Sequence, residues 1–289
     1  MLQNNNISPL PWYTSIDEQD WRKSYAYGDV YPLYTLANTV LPFQVIRPTR
    51  ANGITSFRVY KKDGTLVQNI TSRMNEAGLQ VKRFQSLGYD VIIFGGALPV
   101  MDNQFDGQYY AVMSDGAQTW YSEVWTAVQD VTPYLRIEWY DLEDMVFDGG
   151  RICYEGVGYK NVLYFAAEVG KPEYTFEEEG ENRDGFFFPE KQISEKTYKC
   201  TVLAPEYLCD VMRFIRMADY VTITDKYGRV YHCDTFLITP KWETQGNLAS
   251  VEMEFETDTV AKKIGRAVTM GVADYNDDYN NDYLIETTE

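Results

Sequence analysis

The sequence predicts a mainly-β protein built from two β-sandwich-like domains, the second carrying a single flanking α-helix near residues 205–218. Three observations lead there. Turn dipeptides such as Asn52-Gly53, Asp63-Gly64, Asp106-Gly107 and Asp115-Gly116 punctuate the first half at short intervals. Short alternating or apolar runs rich in Val, Ile, Tyr, Phe and Trp lie between them. One stretch has helical spacing, with Leu208, Val211, Met212 and Ile215 on one face.

Residues 1–30 are polar and aromatic without clear periodicity, and read as an arm whose Trp12 and Trp21 are candidates for contact with a neighbouring subunit. Residues 31–135 read as the first sandwich or jelly roll. Phe57, Val59 and Leu66 bracket a hairpin turn at residues 61–64, and residues 89–94 read as a buried strand. Strands at residues 109–113 and 119–125 flank Ser114-Asp115-Gly116. A boundary is expected near Val131-Thr132-Pro133. Residues 136–268 then form the second domain, with strands near residues 134–139, 152–154 and 162–165, a charged loop at residues 173–184, and a turn at Asp184-Gly185 leading into Phe186-Phe187-Phe188-Pro189.

Residues 197–203 read as a strand that runs into the helix. Pro205 suits a first helical position because its missing N–H is not needed there. Glu206 in the first turn and Arg213 and Arg216 near the end match the helix dipole. A strand at residues 219–224, a Tyr227-Gly228 turn and a strand at residues 230–233 follow. Val251, Met253 and Phe255 then alternate with Glu252, Glu254 and Glu256, a strand with one apolar and one acidic face. Residues 269–289 read as an acidic, solvated tail.

The 289 residues suffice for two full cores. The net charge of −17 argues against a nucleic-acid duplex or an anionic membrane as partner, since both need basic surfaces. Four cysteines without a C-x-x-C pair read as reduced, buried thiols of a protein made in a cytoplasm. Residues 1–6 have neither the basic nor the apolar region of a secretory signal, and no apolar run reaches membrane-span length.

Candidate chemistry is sparse. The single histidine, His232, adjoins Cys233 in an alternating strand, so the two side chains point to opposite faces and read as structural. Carboxylates are plentiful, but nothing selects two of them as a glycosidase pair. Asp274, Asn276 and Asp278 have the rhythm of a calcium loop, yet Tyr279 replaces the required glycine and Ile285 the bidentate glutamate. No phosphate-binding glycine loop is present. The reading therefore expects no catalytic residue, no cofactor and no metal. Trp120, Tyr121 and Trp125 form the alternative, a sugar-stacking platform of a carbohydrate-binding or adhesin module.

The order strand, helix, strand, hairpin, strand across residues 196–260 resembles the tail-tube fold of tailed bacteriophages, in particular the ring-forming domain of distal tail or baseplate proteins. The wording of residues 205–209 and 252–258 is also similar to tail proteins of phages that infect Bacteroides-type bacteria. The resemblance covers about residues 135–265 and rests on element order. It differs in placing the ring domain second, which leaves a hub or adaptor protein equally compatible. It implies a virion protein of the tail, made in the host bacterial cytoplasm and assembling as a hexameric ring with other tail or baseplate proteins, through which DNA passes without specific binding. In such a ring an acidic lumen would repel phosphate. Glu252, Glu254 and Glu256, or Glu177, Glu178, Glu179 and Glu181, are the candidate channel-lining residues.

Overall fold

In a computed structural model of the chain, the residues described are 8–23, 30–84, 88–95, 99–102, 106–141, 146–147, 152–153, 160–243 and 247–263. The protein is mainly β, with several sheets and one substantial helix. The broken calcium-loop rhythm at residues 274–285 and the expected acidic tail lie outside the described residues.

In chain order the first strands are β1 (Trp12–Tyr13), β2 (Tyr34–Leu36), β3 (Phe43–Pro48), β4 (Ser56–Lys61) and β5 (Leu66–Asn69), with a four-residue helix α1 (Asp20–Lys23) after β1. Helix α2 (Thr71–Glu76) precedes β6 (Gln80–Phe84), β7 (Tyr89–Phe94), β8 (Gly107–Ser114), β9 (Thr119–Ser122) and β10 (Trp125–Val128). Two sheets result: β1-β9-β8-β10-β2 with β4 and β5 attached through β8, and β3-β7-β6. The β4–β5 and β8–β9 hairpins turn where the glycines predict, Gly64 and Gly116 having φ of 88° and 86°. Strand β7 is buried at all six positions, as expected of a central strand between two neighbours.

These two sheets meet through aromatic rings. Phe43 on β3 lies 4.8 Å from Trp12 on β1 and 5.7 Å from Phe94 on β7, and Phe57 on β4 closes the cluster. Among the described residues of the N-terminal segment, Leu10 and Trp12 belong to the core. Its β1 is too short to show periodicity, and Trp12 with Leu10 packs it into the core.

The remaining strands are β11 (Leu135–Tyr140), β12 (Val146–Phe147), β13 (Ile152–Cys153), β14 (Asn161–Phe165), β15 (Glu173–Arg183), β16 (Phe186–Pro205), β17 (Tyr220–Thr224), β18 (Val230–His232), β19 (Thr235–Trp242) and β20 (Leu248–Lys263), with α3 (Glu206–Met212) between β16 and β17. They form the sheets β14-β11-β17-β18 and β15-β16-β20-β19, and a small β12–β13 pair. Tyr198 on β16, Tyr231 on β18 and Phe255 on β20 join the two larger sheets, with ring centroids 4.9 to 5.7 Å apart.

Several elements depart from the sequence reading, among them β19, a strand paired with β20 where the reading placed none between residues 233 and 251. The helix is half the expected length: α3 ends at Met212, and a 3-10 turn (Ile215–Met217) follows, which buries Ile215 completely. Pro205 is its N-cap with extended backbone (φ −71°, ψ 163°), one position earlier than predicted. The expected charged loop at residues 173–184 is strand β15, joined to β16 by a two-residue turn in which Asp184 and Gly185 have φ of 52° and 83°. That is the turn geometry an Asp-Gly pair favours in hairpins.

By their contacts, residues divide into two compact units, one of residues 1–173 and 196–258, the other of residues 174–195 and 259–289. The boundary expected near residues 131–133 lies inside the first unit. Its core is continuous from Leu10 and Trp12 through Ile137 and Leu208 to Phe255.

Candidate functional site

Strand β20 begins the site. Its inward residues Val251, Met253 and Phe255 are fully buried, and this fixes Glu252, Glu254 and Glu256 on the other face, half-buried. Neighbouring strands supply cations to that face. Lys241 on β19 reaches Glu252 at 2.8 Å, and Lys199 on β16 lies 3.7 Å from Glu254 and 3.0 Å from Glu173. Glu256 accepts a hydrogen bond from Thr235 Oγ1 at 3.0 Å. The Lys241 ammonium holds the Glu252 carboxyl below its ordinary range. The row is therefore a cross-strand lattice of acids and lysines, and its negative charge is partly compensated within the sheet.

The β15–β16 hairpin carries the other acidic candidates. Glu177, Glu178, Glu179 and Glu181 are all exposed. Gln192 donates to Glu178 at 2.6 Å, and Lys191 sits 3.9 Å from Glu179. Large apolar side chains share this hairpin: Tyr174 is 71% exposed, Phe176 62%, Phe186 70%, Phe187 46% and Phe188 51%. Gly180 has a specific place here. A Cβ at that position would run into the Phe188 carbonyl oxygen and lie 2.9 Å from the Phe187 ring, so the missing side chain lets Phe187 lie across the strand. By strand alternation Tyr174, Phe176 and Gly180 share that face.

The aromatic candidates fall out differently. Trp120 and Trp125 are buried in the core, and only Tyr121 of the three is half-exposed, so no stacking platform forms. Trp12 is fully buried within its own chain and is unavailable to a neighbour. Trp21 is half-buried, with the Arg22 guanidinium 4.5 Å and the Lys62 ammonium 4.8 Å from its ring. His232 is exposed on β18, and Cys233 is half-buried. Burial pushes the thiols of Cys200 and Cys233 up to about 12 and that of Cys209 up to about 11, the opposite of nucleophile activation.

Two buried charge clusters escaped sequence reading. In the first, Arg47 on β3 donates to Asp115 Oδ2 at 2.6 Å and lies 3.4 Å from Asp90 on β7, all three being buried. Arg50 and Arg83 complete it from the surface. In the second, Glu123 is buried between β9 and β10 and accepts the backbone N–H groups of Asp20 at 2.6 Å and Val124 at 3.0 Å. Burial lifts its carboxyl to about 7. The backbone N–H of Glu123 donates to the Pro11 carbonyl, and Gln19 Nε2 donates to the Ser122 carbonyl, so the cluster clamps the N-terminal segment. Beside it a cleft of 780 Å³ is lined by Asp20, Lys23, Glu206, Asp210, Arg213 and Trp242, among others. No local pattern could have revealed either cluster, because partners such as Asp20 and Glu123, or Arg47 and Asp115, are distant in the chain.

Among the described residues, no group of three or more His, Cys, Asp or Glu side chains could hold a metal ion, and no helix is long and apolar enough to cross a membrane. No family model matches the chain, and no curated protein matches its sequence.

Proposed function

We infer that this chain is a structural, non-enzymatic component of a phage tail or baseplate, which assembles with copies of itself into a ring around a channel that passes DNA. The observation that carries this reading is the sheet β15-β16-β20-β19, in which β15 and β19 are edges that no further described strand covers. Their lengths are 11 and 8 residues. Long uncovered edges present unpaired backbone N–H and C=O groups, and proteins usually blunt such edges or use them for association. A head-to-tail contact between two different edges is heterologous, and such contacts close into rings when the rotation permits. The strand, helix, strand, hairpin order of residues 197–232 supports the tail assignment, although β19 precedes the closing strand, and the acidic row on β20 suits a surface past which DNA slides.

The test is the mass of the purified full-length protein together with negative-stain imaging. A closed ring with a central hole is the expected result. A strict monomer at high protein concentration overturns the reading.

A further inference from the structure

Five large aromatic side chains between 46% and 71% exposed on one hairpin are an unusual surface. The segment from residue 174 to residue 195 holds seven carboxylates against two cations, a net charge of −5. Aromatic anchors in an acidic frame are the composition of a binding hot spot, in which rings fill pockets and charge sets the choice of partner.

We propose that the β15–β16 hairpin is a docking finger for a different protein, one presenting a basic surface with apolar pockets. Charge complementarity selects this occupant. A second copy is a poor fit, because the rest of this chain carries −12 and repels the finger. An anionic bilayer is repelled in the same way. Nucleic acid offers phosphates where the finger needs cations. On this basis Tyr174, Phe176 and Phe187 seat in the partner's pockets. Glu177 and Glu179, on the opposite strand face, meet its basic rim together with Phe186 and Phe188. The ring reading uses the backbone edge of β15 in this same hairpin, whereas this proposal concerns the side chains on the hairpin's two faces.

The experiment uses the full chain and two synthetic probes, a short alternating Lys–Leu peptide and its Glu–Leu counterpart, with phosphatidylcholine vesicles as a third arm. Three variants are compared: F186S/F187S/F188S and E177Q/E178Q/E179Q on the finger, and E76Q/E168Q/E243Q elsewhere on the surface. Circular dichroism checks that each is folded, and sedimentation gives its oligomeric state. The Lys–Leu peptide is expected to bind, to weaken about tenfold or more with each finger variant, and to be unaffected by the control variant. The Glu–Leu peptide is expected not to bind. Three results would each overturn the proposal: equal weakening by the control variant, which is generic charge attraction; dissociation of an oligomer by the finger variants, which makes the occupant a second copy; or vesicle binding that is lost with the phenylalanines, which makes it a lipid surface.

Discussion

Burial lifts the Glu123 carboxyl to about 7, and the N–H groups of Val124 and Asp20 oppose that lift without cancelling it. Its ordinary value is 4.5, so the folded state holds a proton that the unfolded chain releases between pH 4.5 and about 7. Folding stability is then fully present below pH 4.5 and falls as pH rises toward 7, by about 3 kcal/mol for this one group. Glu123→Gln is expected to flatten that slope in thermal unfolding measured across the same window. The cluster around Arg47 behaves oppositely on truncation. Arg47→Met leaves two buried aspartates short of a cation and is expected to lower the unfolding free energy in urea by about 3 kcal/mol.

At the scale of elements, the hairpin depends on a residue that has no side chain. Gly180→Ala would place a Cβ 2.8 Å from Pro189 Cα and against the Phe188 carbonyl, both backbone atoms that cannot rotate away. Faster amide exchange across residues 174–195, with little change in the first unit, is the expected outcome. Part of the strand pattern was legible in the sequence, but β3, β6, β15 and β19 were not read from it. The alternation of Val251 to Glu256 and the turns at Gly64, Gly116, Asp184-Gly185 and Gly228 state their geometry locally. The site was less so. Phe186, Phe187 and Phe188 look the same in sequence whether a strand buries or exposes them, and which of these happens depends on what lies above the sheet. Trp120 and Trp125 show the converse, a seeming platform that the sheet turns into its own core. The helix ends at Met212 and Ile215 is buried from the 3-10 turn that follows, a break that the helical spacing of residues 208–215 does not reveal.

For the whole molecule the governing quantity is the charge of −17. Copies that associate through sheet edges do so against mutual repulsion, and salt weakens that repulsion by shortening the screening length from about 30 Å at 0.01 M to about 8 Å at 0.15 M. If rings form, their fraction should rise with ionic strength in sedimentation experiments. Binding of a basic partner to the hairpin should fall over the same range. The two associations are therefore separable by salt alone.

The continuity of the first unit's core has a consequence in time. Leu10 and Trp12 belong to the same buried cluster as Val251 and Phe255, so the cluster as a whole is complete only once β20 has left the ribosome. At ordinary translation speeds that delay is roughly ten to fifty seconds. Throughout it, Phe43, Phe57 and Phe94 can gather with Trp12, while the sheet that Phe255 completes stays unfinished. Such a nascent chain has long-range pairings still to make, so it folds late and slowly, and chaperones have an extended interval in which to hold it.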